Sequence, residues 1–263
     1  MGALHAGHGR LIGEARAASA SVAVSIFVNP TQFNQNDDYV RYPRPLEADL
    51  EFCAARGVDV VFAPPVEEMY PQPQLAFVEV ERVADHMEGR FRPGHFRGVA
   101  TVVLKLFQIV QPDRAYFGEK DAQQLAVIRR MVQDLNMPVE IAGVPTVREP
   151  DGLALSSRNR HLSAEDRGVA PRLYQALRAA GQSIAAGETD AEVVKRAALD
   201  VLAADPRMRV EYLEIAGDAE MQPVERIAAP VRVAAAVWVG RTRLIDNVRS
   251  DPPAHPADSS VQS

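Results

Sequence analysis

The sequence lacks several features that would place the protein in special classes. It has one cysteine, Cys53, which excludes an internal disulfide and is expected to be a buried apolar residue. It has no apolar run near the ~20 residues of a membrane-spanning helix, and no secretory signal pattern. Its net charge is -6, whereas a nucleic-acid-binding protein usually has an excess of basic residues. These absences predict a cytoplasmic protein with neither membrane nor nucleic-acid partners.

The first half alternates strand and helix patterns. Apolar, β-branched runs at 21–28, 58–65, 114–118 and 138–147 predict strands, and helical spacing predicts helices at 9–20, 46–56 and 121–136. Residues 98–110 fit either a buried helix or a strand, and their length favours a helix. This alternation predicts an α/β fold, a Rossmann-like parallel sheet with helices on both faces.

The second half changes its pattern and predicts a smaller α+β domain. Helices are expected at 163–180, opened by Ser163, and at 190–204, followed by strands at 209–216, 231–240 and 242–248. The predicted organisation is therefore a nucleotide- and substrate-binding domain at 1–148, a C-terminal α+β lid domain at 149–249 and a disordered tail at 250–263.

Two candidate site stretches lie near the start of the chain. "GALHAGH" runs directly into a helix, where glycines, imidazoles and free N–H groups suit phosphate. A Gly/His-rich tail without a role is the alternative. "FVNPTQF" follows the first predicted strand, where Gln32 offers an amide to a small polar substrate; an ordinary polar turn is the alternative.

Two further candidates follow later in the chain. "FGEKDAQQL" places Lys120 and an N-capping Asp121 at a helix start, which suits phosphate or is simply a well-capped helix. "GLALSSRNR" brings two hydroxyls and Arg158 into the interdomain link, as a phosphate clamp or a polar linker. His95 and His161 are isolated and are expected to be structural or solvated rather than catalytic. No zinc spacing or Ser-His-Asp signature is visible, so the metal ligands are unknown.

Taken together, these stretches resemble one family. "MGALHAGH", "SIFVNPTQF", "FGEKDAQQL", "VPTVREPDGLALSSRN" and "TRLIDNV" occur in the order found in pantoate–β-alanine ligases, over residues 1 to about 248. The HxGH element is shared with the wider nucleotidyltransferase and class I aminoacyl-tRNA synthetase superfamily, and SSRN occupies the place of the KMSKS loop.

The resemblance implies an activity in pantothenate and coenzyme A biosynthesis. The pantoate carboxylate would attack the α-phosphate of ATP, giving pantoyl adenylate and pyrophosphate. The β-alanine amine would then attack the acyl carbon, releasing AMP and pantothenate. The resemblance also implies Mg²⁺ with the ATP and a homodimer.

The family's functional residues carry over onto matching positions. His5, His8 and Lys120 would be catalytic, with His8 in the position that the family treats as proton donor. Gln32 and Gln124 would hold pantoate, and Gln32 would also border β-alanine. Leu155 stands where the family often has Met. The ATP contacts would be Met1, Gly2, Ala3, Leu4, His5, Ala6, Gly7, His8, Gly118, Glu119, Lys120, Asp121, Val147, Leu155, Ser156, Ser157 and Arg158.

The same resemblance bears on the start of the chain. Family members carry a strand before the Met-Gly-Ala-Leu element. We therefore expect a gap in the middle of the sheet, an HxGH loop free at one end, and an active protein that begins upstream of Met1.

Three alternative functions compete with this one. An RNA-charging synthetase would need a basic RNA-binding appendage. An adenylyltransferase that leaves AMP on its product shares HxGH but not the two glutamine motifs. A non-catalytic binding remnant is the third. Assays of AMP and pyrophosphate release, omitting each substrate in turn, separate them.

Overall fold

The computed structural model describes residues 2–33 and 36–253, without the side chains of 36–38. Two compact units divide the chain, Met1–His161 and Leu162–Ser263. Within the described residues, no helix combines the length and apolar character needed to cross a membrane.

The strands of the first unit are parallel, as predicted. β1 (Ala23–Ser25) pairs with β2 (Val60–Phe62), and β3 (Arg114–Gly118) pairs with β4 (Glu140–Val144). The two pairs form separate sheets among the described residues. Three of the four strands are shorter than the apolar runs, which extend beyond the paired residues at both ends.

Seven helices of the first unit surround these strands in the described chain. They are α1 (Ala6–Ala18), α2 (Asn36–Arg41), α3 (Leu46–Ala54), α4 (Val66–Met69), α5 (Glu88–Phe91), α6 (His95–Val110) and α7 (Ala122–Asp134). Short 3-10 turns span Pro30–Gln32, Glu119–Asp121 and Ser157–His161. The segment after β1, predicted as loop, therefore contains a 3-10 turn and α2.

Apolar packing joins α1, α3 and the residue that directly follows β1. Cys53 is 1% exposed and belongs to one cluster with Ile12 and Ile26, which confirms its prediction as a buried apolar residue. This packing fixes α1, and with it the loop that precedes α1, against the first strand pair.

Helix α6 confirms that residues 98–110 are helical, and it begins earlier, at His95. Its Gly98 lies against the 3-10 turn after β1, where an added Cβ would come within 2.3 Å of the Thr31 carbonyl oxygen. Only glycine permits this approach. The close packing places the turn that carries Gln32 directly on α6.

The second unit contains three helices and a three-stranded antiparallel sheet in its described part. Helices α8 (Ala164–Val169), α9 (Arg172–Ala185) and α10 (Ala191–Ala203) precede β5 (Met208–Gly217), β6 (Val231–Val239) and β7 (Thr242–Ser250). The prediction of a single helix over 163–180 was wrong, because α8 and the start of α9 occupy this range. Pro171 has no N–H for the helical ladder and separates α8 from α9.

Candidate active site

A buried carboxylate holds the loop before α1. Asp49 of α3 is 2% exposed and accepts hydrogen bonds from the Ala3 N–H (2.8 Å, Oδ2) and the Leu4 N–H (2.7 Å, Oδ1). Ala3 has a left-handed backbone, with φ 57°. The expectation of an HxGH loop free at one end was therefore wrong for residues 2–8.

The two histidines of this loop cap α1 reciprocally. The His5 N–H donates to His8 Nδ1 (3.2 Å), and the Gly7 N–H donates to His5 Nδ1 (3.1 Å). This explains why the helix begins at Ala6 rather than Gly9. Both Nδ1 atoms act as acceptors, so each neutral imidazole carries its proton on Nε2.

The environment keeps both imidazoles neutral. Burial, and then the neighbouring His5, lower the pKa of His8 to about 3. Burial also lowers the pKa of His5, followed by the charges of Lys120 and Arg160. The ring centroids lie 4.2 Å apart. At pH 7 the pair therefore offers two uncharged Nε2–H donors.

Charges from two other sequence motifs act on His5. His5 experiences the charges of Lys120 and Asp121 from the 3-10 turn after β3, and of Arg160 from the 3-10 turn at Ser157–His161. Lys120 Nζ lies 3.8 Å from an Asp121 carboxylate oxygen. Asp121 occupies the N-cap position of α7, as predicted, but its side chain makes no cap hydrogen bond.

Gln32 is buried and held from several directions. Its side-chain Oε1 accepts a hydrogen bond from Asn29 Nδ2 (3.2 Å). Its backbone carbonyl oxygen accepts hydrogen bonds from His95 Nδ1 (2.9 Å) and Arg92 Nη2 (3.5 Å). Tyr70 Oη donates to Asn29 Oδ1 (2.8 Å). The orientation of the Gln32 amide is thereby fixed.

His95 confirms its expected structural role, although it lies within the Gln32 surroundings. It is 6% exposed, and burial, followed by the charge of Arg92, lowers its pKa to about 4. Because a carbonyl oxygen only accepts, Nδ1 of His95 must carry the proton. His161, the other isolated histidine, is exposed.

The two glutamines at the start of α7 have different environments. Gln123 is 6% exposed and bonds to the backbone of residues 83–88 through both ends of its amide. Gln124 is half-buried, and its amide has no protein partner in the described part of the chain. This contrast favours Gln124 as the glutamine that meets a ligand.

A hairpin-like turn carries the SSRN segment. Leu155 N–H donates to the Val147 carbonyl (2.9 Å), and Gly152 takes φ 93° at the tip. Asn159 Nδ2 donates to Glu149 Oε1 and to the Ala154 carbonyl, each at 3.0 Å. Asn159 therefore fastens the Ser156–Arg158 loop to the turn.

The structure brings most predicted site residues of the first unit onto the loops after β3 and β4 and the start of α1. Met1 lies outside the described residues. Sequence reasoning missed the residues that position the site: Asn29, Asp49, Gln123 and Asn159. Each is a polar residue inside a predicted element or motif. A single sequence does not show whether such a residue is buried and bonded or simply exposed at the surface.

Within the described residues, no group of three or more His, Cys, Asp or Glu side chains could hold a metal ion. Mg²⁺ needs only one or two carboxylates when substrate phosphates supply further oxygens. The carboxylates of Glu119 and Asp121, beside Lys120, are of that chemical type.

Comparison with known proteins identifies the family. The profile of the family described as pantoate-beta-alanine ligase matches residues 1–249. A pantothenate synthetase from Moorella thermoacetica is 56% identical over 248 residues, 94% of this chain and 88% of the relative. One from Chloroflexus aurantiacus is 55% identical over 249 residues, with the same coverage of each chain.

Solved structures agree with the sequence matches. A pantothenate synthetase from Thermus thermophilus is 51% identical, with a TM-score of 0.90 over 94% of this chain and 90% of that one. A pantoate–β-alanine ligase from Francisella tularensis, complexed with beta-gamma ATP and β-alanine, is 38% identical with a TM-score of 0.77, covering 94% and 86%. The chain belongs to the pantoate–β-alanine ligase family and is an ATP-dependent ligase that forms pantothenate from pantoate and β-alanine.

Proposed function

We propose that the ligation proceeds through pantoyl adenylate. A pantoate carboxylate oxygen forms a bond to the α-phosphorus of ATP, and the bond to the β-phosphate oxygen breaks to release pyrophosphate. The β-alanine amine then bonds to the acyl carbon, the acyl–phosphate bond breaks, and AMP leaves with the shared oxygen. The amine loses its proton to solvent.

One observation carries this proposal: the adjacent, neutral imidazoles of His5 and His8 lie within the influence of the cationic Lys120 and Arg160. The first step brings an anionic nucleophile to an anionic phosphate. Preset donors and cations lower its barrier by stabilising the transition-state charge. Pantoate is already ionised at pH 7, so the step needs no general base.

We assign the phosphate contacts to the α1 start and to the turn at Gly118–Asp121. The Nε2–H groups of His5 and His8, with the N–H groups at the α1 start, are donors suited to phosphoryl oxygens. Lys120 supplies a positive charge. With a pKa of about 3, His8 is neutral at pH 7, so we propose that it contributes its proton through a hydrogen bond.

We assign the nucleoside and the triphosphate to the segment 147–158. Val147 would contact the adenine or ribose, and Leu155–Arg158 would close over the phosphates. The Asn159 bonds to Glu149 and the Ala154 carbonyl support a loop of defined shape. Such a loop shields the adenylate from water during the second step.

We assign pantoate to Gln32 and Gln124, and the β-alanine position to Gln32. Neutral amides offer directional hydrogen bonds to hydroxyls and a carboxylate. Support comes from the hydrogen bond that holds the Gln32 amide and from the half-buried Gln124 amide, which has no protein partner in the described chain. The relative from Francisella tularensis, solved with β-alanine, shares this fold.

We propose that Mg²⁺ accompanies ATP, held by the phosphate oxygens and by the Asp121 carboxylate. When bound, the ion neutralises phosphate charge. Titration of Mg²⁺ against activity, with Asp121→Asn beside the original chain, tests this placement. A higher Mg²⁺ requirement in the variant is expected, and an unchanged one contradicts it.

We also propose a homodimer in the cytoplasm, where ATP is available. Exposed apolar side chains at Leu75 (92% exposed) and Phe77 (40% exposed) offer surface for a second copy. Sedimentation equilibrium should give twice the chain mass, and Leu75→Asp should shift the protein towards monomer. A monomer at micromolar concentration contradicts the proposal.

The adenylate is tested by exchange of labelled pyrophosphate into ATP. Exchange should require pantoate and proceed without β-alanine, because only the first step is reversed. Exchange that requires β-alanine, or formation of ADP in place of AMP, would exclude the adenylate. Lys120→Ala should slow the exchange, whereas the control Lys195→Ala, in the second unit, should not.

A further inference from the structure

Residues 82–92 form a tightly wound segment between α7 and the Gln32 turn. Two non-glycine residues take left-handed backbone angles, Arg82 at φ 64° and Met87 at φ 48°. An added Cβ at Gly89 would lie 1.5 Å from the Ala84 carbonyl oxygen, so the chain passes too close to itself for any side chain there. Such conformations persist only where the surroundings impose them.

Gln123 imposes this conformation through three hydrogen bonds. Its Nε2 donates to the carbonyl oxygens of Val83 (2.9 Å) and His86 (2.8 Å), and its Oε1 accepts from the Glu88 N–H (3.0 Å). The bonds bracket Met87, whose side chain is 3% exposed. The first turn of α7 thus fixes the strained segment directly.

The segment then reaches Gln32. The buried Glu88 carboxylate pairs with Arg92 (3.5 Å), and Arg92 donates to the Gln32 carbonyl oxygen (3.5 Å). Pro93 and Gly94 follow Arg92 and lead to His95, which donates to the same carbonyl oxygen (2.9 Å). A continuous series of contacts therefore joins Gln123 to Gln32, and Gln123 is the chain neighbour of Gln124.

We propose that Gln123 is a positioning residue that sets the separation of the Gln32 and Gln124 amides and thereby the selectivity of the acid site. This rests on the proposed assignment of those two amides to pantoate. Gln123 itself does not contact the substrate; it acts through the 83–92 segment. Pantoate carries two methyl groups between its hydroxyl-bearing carbons, so a site of fixed width distinguishes it from a slimmer hydroxy acid.

The test compares pantoate with 2,4-dihydroxybutanoate, which lacks the two methyl groups. Gln123→Met keeps the length of the side chain and removes all three hydrogen bonds. We expect the KM for pantoate to rise about tenfold, with the KM for ATP within about twofold, from the loss of neutral hydrogen bonds. The kcat/KM preference for pantoate over the slimmer acid should fall about fivefold or more.

Two further variants separate positioning from loss of folding. Gln123→Glu keeps the acceptor to Glu88 and loses the two donors, and Glu88→Gln breaks the ion pair with Arg92 further along the series. Both should reduce the same preference, measured on the fraction of protein that remains folded. Gln133 is exposed on α7, and Gln133→Met is the matched control. It should change neither the KM for pantoate nor the kcat/KM preference for pantoate.

The outcomes distinguish this proposal from the assignment of the site. If Gln124→Ala leaves the KM for pantoate unchanged, the site assignment fails. The positioning role is overturned by either of two results, provided that Gln124→Ala raises that KM. In the first, the Gln123 and Glu88 variants change only the melting temperature. In the second, they change kcat equally with pantoate and with 2,4-dihydroxybutanoate.

Discussion

The buried imidazole of His95 makes the stability of the protein depend on pH. His95 is 6% exposed, donates through Nδ1 to the Gln32 carbonyl and has its pKa lowered to about 4, chiefly by burial. An unfolded histidine has a pKa of 6.5. Between these values the unfolded chain binds a proton that the folded chain does not, so the free energy of unfolding rises with pH.

The magnitude follows from the two pKa values. Near pH 7 both states are mostly neutral at this position and the contribution is small. At pH 5 the unfolded imidazole is protonated and the folded one is largely neutral. The unfolded pKa lies about 1.5 units above pH 5. At about 1.4 kcal/mol per unit, protonation of the unfolded imidazole therefore costs about 2 kcal/mol of folding stability at pH 5. The loss is complete only below pH 4.

Urea unfolding at pH 7 and pH 5 measures this directly, on the original chain and on His95→Gln. The glutamine amide can still donate to the Gln32 carbonyl but does not titrate. The original chain should lose about 2 kcal/mol more than the variant between the two pH values. The exposed His161→Gln is the control. Equal losses in the original chain and His95→Gln would refute the reasoning.

Four further predictions concern the site. Lys120→Ala should slow single-turnover adenylate formation about 10²–10³-fold with the fold intact, the scale for one preset donor, and a near-normal rate would remove Lys120 from the phosphates. Gln124→Ala should weaken pantoate binding about tenfold and ATP binding little, so equal losses in calorimetry contradict its role. Asn159→Ala should accelerate amide hydrogen exchange over 155–160 and slow adenylation. Unchanged exchange would argue against a role of Asn159 in holding this loop. His8→Gln and the original chain should show parallel pH–rate profiles between pH 5 and 8, because the pKa of His8 is about 3, and an inflection lost in the variant would contradict a neutral His8.

The sequence predicted those elements that have a periodic or chemically specific signal. Residues 114–118 form a strand as expected, and the length of the apolar run at 98–110 correctly favoured a helix. Helix boundaries were less accurate where a side chain decides them. The reciprocal caps of His5 and His8 start α1 at Ala6, a pairing that the motif alone does not reveal.

The candidate site residues were predictable from motifs, whereas the residues that hold them were not. Asp49 lies in a helix whose pattern gives no reason to single it out, and it meets the Ala3 and Leu4 N–H groups only through the tertiary fold. Gln123 and Gln124 are adjacent and identical in type. Burial distinguishes Gln123, which binds the backbone of residues 83–88, from Gln124, whose half-buried amide has no protein partner in the described chain.

Pantoate labelled with ¹⁸O in both carboxylate oxygens tests the central claim most directly. If the carboxylate attacks the α-phosphorus, one labelled oxygen passes into the phosphate of AMP, and mass spectrometry of AMP after a single turnover should show one ¹⁸O per molecule. AMP without label, with the oxygen found in another product, would contradict a pantoyl adenylate.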